Sequence, residues 1–251
     1  MKKGFLAYFT MGYPDLKTTE EAIKGAIKGG ATGIEIGIPF SDPVADGETI
    51  QYAHHIALKN GTKIDDVISL LNRISSYLNQ ANFYIMAYLN TIINMPFGME
   101  KFLKEIKDYG VKGLILPDLP FSEVRKNKFS INFPIVLFAT PDTDERDLKE
   151  YSLYNPPFIY YIARYGTTGE RETLPKDIKE KIKSIREKID IPLYIGFGIS
   201  KPEHVAELYE VADGVIVGSH LIRLMIQHEG EEPKNIGKII QDEVKRLLTF
   251  S

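Results

Sequence analysis

Apolar residues along this chain follow two alternating rhythms. Short apolar runs at residues 5–10, 33–38, 83–88, 113–116, 135–139, 158–163, 193–196 and 214–217 have the length and composition of buried strands. Between them apolar residues return every three or four positions, as on one face of a helix. Residues 16–28 carry Ala22, Ile23, Ala26 and Ile27; residues 63–77 carry Val67, Ile68, Leu70, Leu71 and Ile74. The pattern repeats over 99–109, 144–151 and 176–188. Ser200-Lys201-Pro202-Glu203 has the form of a capping box with Pro inside the first turn, and predicts a helix running to about residue 211. A last amphipathic helix is predicted over 234–248.

Strands alternating with helices predict βαβ units and a parallel sheet. Eight such units in 251 residues favour a closed (β/α)₈ TIM barrel over an open doubly wound sheet, because closure removes both sheet edges. No linker or composition shift divides the chain, so residues 1–251 are expected to form one domain. Two connections stand out: residues 39–62, the longest, and residues 164–175, rich in Gly and Thr. In a barrel both would lie over the catalytic mouth, where the strand-to-helix loops gather.

Composition narrows the functional classes. With 43% hydrophobic residues the chain can bury a large core, and no run approaches the roughly 18 apolar residues of a membrane span. A net charge of −3 with both signs interspersed argues against a nucleic-acid surface. Cysteine is absent, which excludes disulfides and thiolate chemistry. The opening Met1-Lys2-Lys3-Gly4 runs straight into a strand, without the look of an export signal, and a cytoplasmic location is expected.

Candidate chemistry begins in the second strand. In Gly33-Ile34-Glu35-Ile36-Gly37-Ile38, the isoleucines alternate outward, which leaves Glu35 and Gly37 pointing into the barrel. A carboxyl group there loses water and must find partners or hold a proton. It is either part of a structural polar network or a general acid–base with a raised pKa, and the second reading is preferred. Gly37 is expected to clear space for a ligand. Asp46 in Ser41-Asp42-Pro43-Val44-Ala45-Asp46-Gly47 would be an ordinary turn residue by itself. Over the same mouth as Glu35 it becomes a second carboxylate able to accept a ligand hydrogen bond.

Two glycine turns, Gly196-Phe197-Gly198-Ile199-Ser200 and Gly218-Ser219-His220, follow the seventh and eighth strands. Each turn alone is weak evidence, since glycine often just relieves strain at a strand end. Together they stand where barrels commonly bind phosphate, with backbone N–H groups and a helix N-terminus as donors. Neither turn holds Lys or Arg. The adjacent His54 and His55 are read as surface or packing residues. His204, His220 and His228 are scattered without a motif pairing them to carboxylates, and no metal site is expected.

The segment from Gly33 to Gly47, followed by Thr49-Ile50-Gln51, closely resembles the signature of tryptophan synthase α subunits. The likeness continues through Phe9-Thr10 with Gly12, Tyr88 and Asn90, Pro117-Asp118-Leu119-Pro120, Thr168-Gly169, Gly196-Phe197-Gly198-Ile199-Ser200 and Gly218-Ser219, nearly the whole chain in order. It implies a lyase that splits indole-3-glycerol phosphate by a retro-aldol reaction into indole and glyceraldehyde 3-phosphate. Glu35 would be the acid–base that protonates the indole C3 carbon and helps deprotonate the glycerol hydroxyl. Asp46 would accept the indole N–H. Thr168 would orient Asp46 as residues 164–175 close. Phe9, Met86, Tyr88, Ile115, Tyr160 and Phe197 would line the indole pocket with Thr168, and Gly169, Gly198, Gly218 and Ser219 would bind phosphate.

The resemblance further implies an α₂β₂ complex with a pyridoxal-phosphate β subunit that receives indole through a tunnel. No cofactor is expected in this chain. The implied partner face includes the Asp42-Pro43 loop and the segment after Asn90. Three departures accompany the likeness: a leading helix cut short or absent, a segment 90–98 that lacks the usual Asn-Pro and is longer, and Tyr13 where the family often has Asp. Two rivals stand beside this reading. One is a sugar-phosphate isomerase barrel; the other is a catalytically weak barrel that serves mainly as an allosteric activator of a β subunit.

Overall fold

The computed structural model describes residues 3–96, 98–126, 131–162, 178–196 and 198–250. Strands β1 (Gly4–Thr10), β2 (Gly33–Gly37), β3 (Asn82–Met86), β4 (Gly113–Ile115), β5 (Ile135–Ala139), β6 (Ile159–Ile162), β7 (Leu193–Gly196) and β8 (Gly214–Val217) pair in parallel in chain order, and β8 returns to β1. The result is the expected closed TIM barrel. Helices α1 (Leu16–Gly29), α2 (Glu48–Lys59), α3 (Asp66–Arg73), α4 (Leu89–Ile93), α5 (Met99–Asp108), α6 (Phe121–Arg125), α7 (Glu145–Glu150), α8 (Ile178–Arg186), α9 (Pro202–Tyr209), α10 (Ser219–Gln227) and α11 (Pro233–Leu247) complete the described elements. The first and last of the set, α1 and α11, pack so closely that a Cβ on Gly25 would lie 2.0 Å from the Gly237 carbonyl oxygen.

Departures from the expected elements have local causes. The helix predicted over 63–77 is α3 followed by a 3₁₀ turn at Ser75–Tyr77. Ile74, at φ −98° and ψ 15°, leaves helical geometry just before Ser75 and Ser76, residues of weaker helix propensity. The two short helices α4 and α6 span too few residues for a 3.6-residue period to register. Ser200 does not cap α9: with Pro202 at its first turn the N-cap falls on Lys201, which makes no side-chain cap bond.

Register sorts each strand into two faces. Leu6 pairs with Gly33, Tyr8 with Glu35 and Thr10 with Gly37, all on the lumen side; Ala7 with Ile34 and Phe9 with Ile36 face the helices. In the lower lumen the small residues make room for rings. Tyr194 lies over Gly4 and Gly214, where an added Cβ would come within 2.1 Å of its hydroxyl oxygen and 2.3 Å of its ring, respectively. Phe158 touches Tyr194 and Tyr84 at centroid distances of 4.7 and 5.1 Å, and the Tyr209 hydroxyl donates to the Gly4 carbonyl. Three rings thus fill the floor, and the strands open upward into a cavity.

Candidate active site

The cavity occupies the C-terminal ends of the strands. It encloses about 840 Å³ of space, the open solvent at its mouth included. Glu35, Asp46, Met86, Ile115, Tyr160, Gly198, Gly218 and Ser219 all reach it. The residues expected to act together therefore meet over one mouth.

Glu35 stands midway up β2, and the strand's alternation turns it inward while Ile34 and Ile36 bury themselves under the helices. Only 3% of Glu35 is exposed, and its Oε2 has no hydrogen-bond partner among the described residues. Burial, with the Asp46 charge adding to it, raises its pKa to about 8. At neutral pH this carboxyl group carries its proton and can deliver it.

Asp46 is held quite differently. The loop after β2 folds back so that the Asp46 N–H donates to the Pro43 carbonyl, and Gln51 from α2 donates to the Asp46 carbonyl at 2.8 Å. The Tyr88 hydroxyl donates to Asp46 Oδ2 at 2.7 Å while accepting from the Ala45 N–H at 3.0 Å. Tyr88 in turn stacks on Phe40 at 4.8 Å. Oδ1 accepts no hydrogen bond from the described residues, although the side chain reaches the cavity.

Opposite the carboxylates, the loops after β7 and β8 converge. Gly198 adopts a φ of +45°, a left-handed conformation that favours glycine. Ser219 opens α10, whose first N–H groups and positive dipole end face the same space. The wall between the two poles is apolar: Tyr8, Met86, Ile115, Phe138 and Ile162, with Tyr160 stacked on Phe138 at 5.1 Å.

The structure moves several expected residues. Phe9 faces the helix layer and its neighbour Tyr8 lines the cavity, because the inward set of β1 is Leu6, Tyr8 and Thr10. Gly37 does not clear space for a ligand; it clears space for Tyr8, whose hydroxyl would sit 2.3 Å from a Cβ there. Tyr88 lies behind Asp46 as its hydrogen-bond donor and not in the wall itself. Thr168, Gly169 and Phe197, and with them the 164–175 loop, lie outside the described residues.

Sequence reasoning also passed over residues that the fold brings in. His54 is not a surface residue: it is fully buried, one helical turn beyond the cavity-lining Ile50, with Nε2 3.5 Å from Asp46 Oδ2. His220 lines the cavity beside Ser219 and meets Glu243 of α11, which also binds Arg246. Burial pushes the Glu243 carboxyl up, but hydrogen bonds from Arg246 and His220 outweigh it and bring its pKa to about 2. Pro117 lines the cavity, and Asp118 accepts from the Leu89 N–H at 2.8 Å, tying the end of β4 to the start of α4. In β1, polarity at two-residue spacing, Tyr8 then Thr10, was the available sign of the inward face.

Comparison with known proteins now decides what kind of barrel this is. The family model described as tryptophan synthase alpha chain matches residues 1–247. The chain belongs to the tryptophan synthase alpha chain family. The alpha chain of Thermotoga petrophila is 48% identical over 98% of this chain and 99% of its own length. That of Aquifex aeolicus is 38% identical over 97% of this chain and 94% of its own. Among solved structures, the tryptophan synthase A-subunit of Pyrococcus furiosus superposes with a TM-score of 0.82 at 33% identity, covering 99% of both chains. The activity is accordingly that of a tryptophan synthase alpha chain, a lyase cleaving indole-3-glycerol phosphate in tryptophan biosynthesis. Among the described residues no helix is long and apolar enough to cross a membrane.

Proposed function

We propose that Glu35 and Asp46 divide the alpha reaction between them, and that the cavity wall and the α10 terminus position its substrate. The observation that carries this is the buried Glu35 carboxyl, without a partner at Oε2 among the described residues and protonated at neutral pH, facing an anion cradle across one cavity. The indole ring lies against Tyr8, Met86, Ile115, Phe138 and Tyr160, and the phosphate against the N–H groups at Gly198, Gly218 and Ser219.

Glu35 delivers its proton to the indole C3 carbon, which makes the ring cationic, and Asp46 Oδ1 accepts the ring N–H and stabilises that charge. The ionised Glu35 then takes the proton from the glycerol hydroxyl. The carbonyl of glyceraldehyde 3-phosphate forms from that oxygen, the bond from C3 to the side chain breaks, and its electron pair returns to the ring. Glu35 ends protonated, ready for the next turnover, and no cofactor in this chain enters a step.

The partner in this reading is a β subunit carrying pyridoxal phosphate, in an α₂β₂ assembly. Its docking face includes the loop at Asp42-Pro43 and the segment after Asn90. Val44, 76% exposed, and Ile93, 44% exposed, supply apolar surface there, the first on the loop after β2 and the second at the end of α4, which follows the adjacent strand β3. We read the chain as one domain acting in the cytoplasm. The test is indole formation from indole-3-glycerol phosphate, with and without a β subunit; no indole in either condition would sink the assignment.

A further inference from the structure

The mechanism above leaves one buried titratable side chain next to the reacting groups without a role. His54 projects from α2 on the same face as Ile50, four residues earlier, which lines the cavity. It is completely buried, and both ring nitrogens face polar atoms. The Phe40 N–H donates to Nδ1 at 3.0 Å. Nδ1 must therefore offer its lone pair, so the ring proton sits on Nε2. That nitrogen stands 3.5 Å from Asp46 Oδ2 and 3.4 Å from the Tyr8 hydroxyl. Tyr8 has a second neighbour in the Thr10 hydroxyl at 3.1 Å, to which it can donate, leaving its oxygen as an acceptor. The Nε2–H is thus aimed between two oxygens, one of them anionic, and an anion draws the proton more strongly. Both distances are at the outer edge of hydrogen bonding, as catalytic contacts often are before substrate tightens them.

We propose that His54 is a positioning residue for the alpha reaction, locked by the Phe40 amide as the Nε2–H tautomer so that it and Tyr88 both hold Asp46 Oδ2 and leave Oδ1 turned to the substrate N–H. The proposal rests on the assignment of Asp46 made above. It explains why a histidine occupies a fully buried helix position that an apolar residue could fill. Tyr88, at the start of α4, donates to Oδ2 at 2.7 Å, and the His54 ring on α2 stands 3.5 Å from the same oxygen, so rotation of the carboxylate would forfeit both contacts. Because Asp46 acts most on charge that develops during reaction, loss of the brace appears mainly in kcat.

Three substitutions separate this role from mere packing. His54→Leu removes both contacts and is expected to lower kcat for indole formation about 10- to 30-fold with KM changed less than about threefold. His54→Gln can place an amide N–H where Nε2–H was and should recover most of the loss. His54→Asn keeps an acceptor for the Phe40 amide but falls short of Asp46, and should stay as slow as His54→Leu. In an Asp46→Asn background, His54→Leu should cost little further, since the group it positions is already gone. An Asn variant as fast as the wild type, a Gln variant as slow as Leu, or fully additive losses in the double variant would overturn the proposal.

A readout independent of turnover covers variants that fail to fold. Nitrogen-15 histidine spectra of the unmodified chain should show the neutral His54 ring carrying its proton on Nε2; a proton on Nδ1 would overturn the proposal. If the wild-type chain forms no indole, it is the assignment of the reaction that fails, and the tautomer alone then decides whether His54 is held as described.

Discussion

The floor and the mouth of this barrel are built from the same eight strands with the same alternation, yet they solve opposite problems. At the floor, Tyr194 settles over Gly4 and Gly214 and meets Phe158, which meets Tyr84; ring fills the space that glycine leaves. One layer higher, Tyr8 and Tyr160 likewise lie over Gly37 and Gly196, but their rings become the walls of an open site. The difference is what stands between the rings. At the floor it is more apolar surface, whereas at the mouth it is a carboxyl group with an unpartnered oxygen, whose burial works against stability. Packing at one end tolerates an ill-solvated acid at the other.

The sharpest way to break that comparison is Glu35→Gln, which keeps the shape and removes the transferable proton. Indole formation is expected to fall by more than about 10³-fold while the circular dichroism spectrum is unchanged. Activity surviving this change would make Glu35 a structural residue like those beneath it. Asp46→Asn should cost about 10²- to 10³-fold in kcat with substrate still bound, because the amide keeps the shape but not the charge that stabilises a cationic ring. Unchanged kinetics would remove Asp46 from the indole site.

The floor should answer in stability instead of rate. Phe158→Ala empties space between two tyrosine rings, and a loss of about 3–5 kcal/mol in unfolding free energy is expected. Activity per folded molecule should stay within about threefold. A variant that melts normally but loses turnover would show that the two ends are not separable.

A pH series joins the two ends. Glu35 titrates at about 8 in the fold against an ordinary 4.5. A carboxyl raised in this way binds its proton more tightly when folded, so its contribution is fully present below about 4.5 and is lost as pH rises through about 8. The wild-type chain should therefore lose stability relative to Glu35→Gln between pH 5 and pH 9, on the order of 2–4 kcal/mol by denaturant titration. Parallel curves for the two chains would mean that Glu35 ionises normally.

Much of this was legible in the residues because period carries burial. Strand–helix alternation reveals the barrel, and alternation within Gly33–Gly37 by itself turns Glu35 inward. Legibility failed where every position is buried. All of β1 is buried, so burial along it did not distinguish Tyr8 from Phe9; the contrast it offered was the polarity of Tyr8 and Thr10 at two-residue spacing, and pairing with Glu35 makes the face plain. It failed again where partners are distant in sequence. His220 finds Glu243 across α10 and α11, and His54 finds Asp46 only because the loop after β2 folds back onto α2. Such pairs have no spacing to read.

The smallest predicted effect tests the bond that separates the two carboxyl groups most clearly. Among the described residues Glu35 lacks a partner at Oε2; Asp46 Oδ2 takes a 2.7 Å hydrogen bond from Tyr88. Tyr88→Phe deletes one hydroxyl and leaves the stack on Phe40 in place. A hydrogen bond to a charged group contributes about 1.5–3 kcal/mol, and part of its loss here is recovered by water or by His54. A decrease of about tenfold in kcat/KM is therefore expected, with the Ala45 N–H also left without its acceptor and a small loss of thermal stability. If Tyr88→Phe instead proves as damaging as Asp46→Asn, Tyr88 itself reaches the substrate, and the wall of the indole site extends one strand end further than the geometry of the free chain indicates.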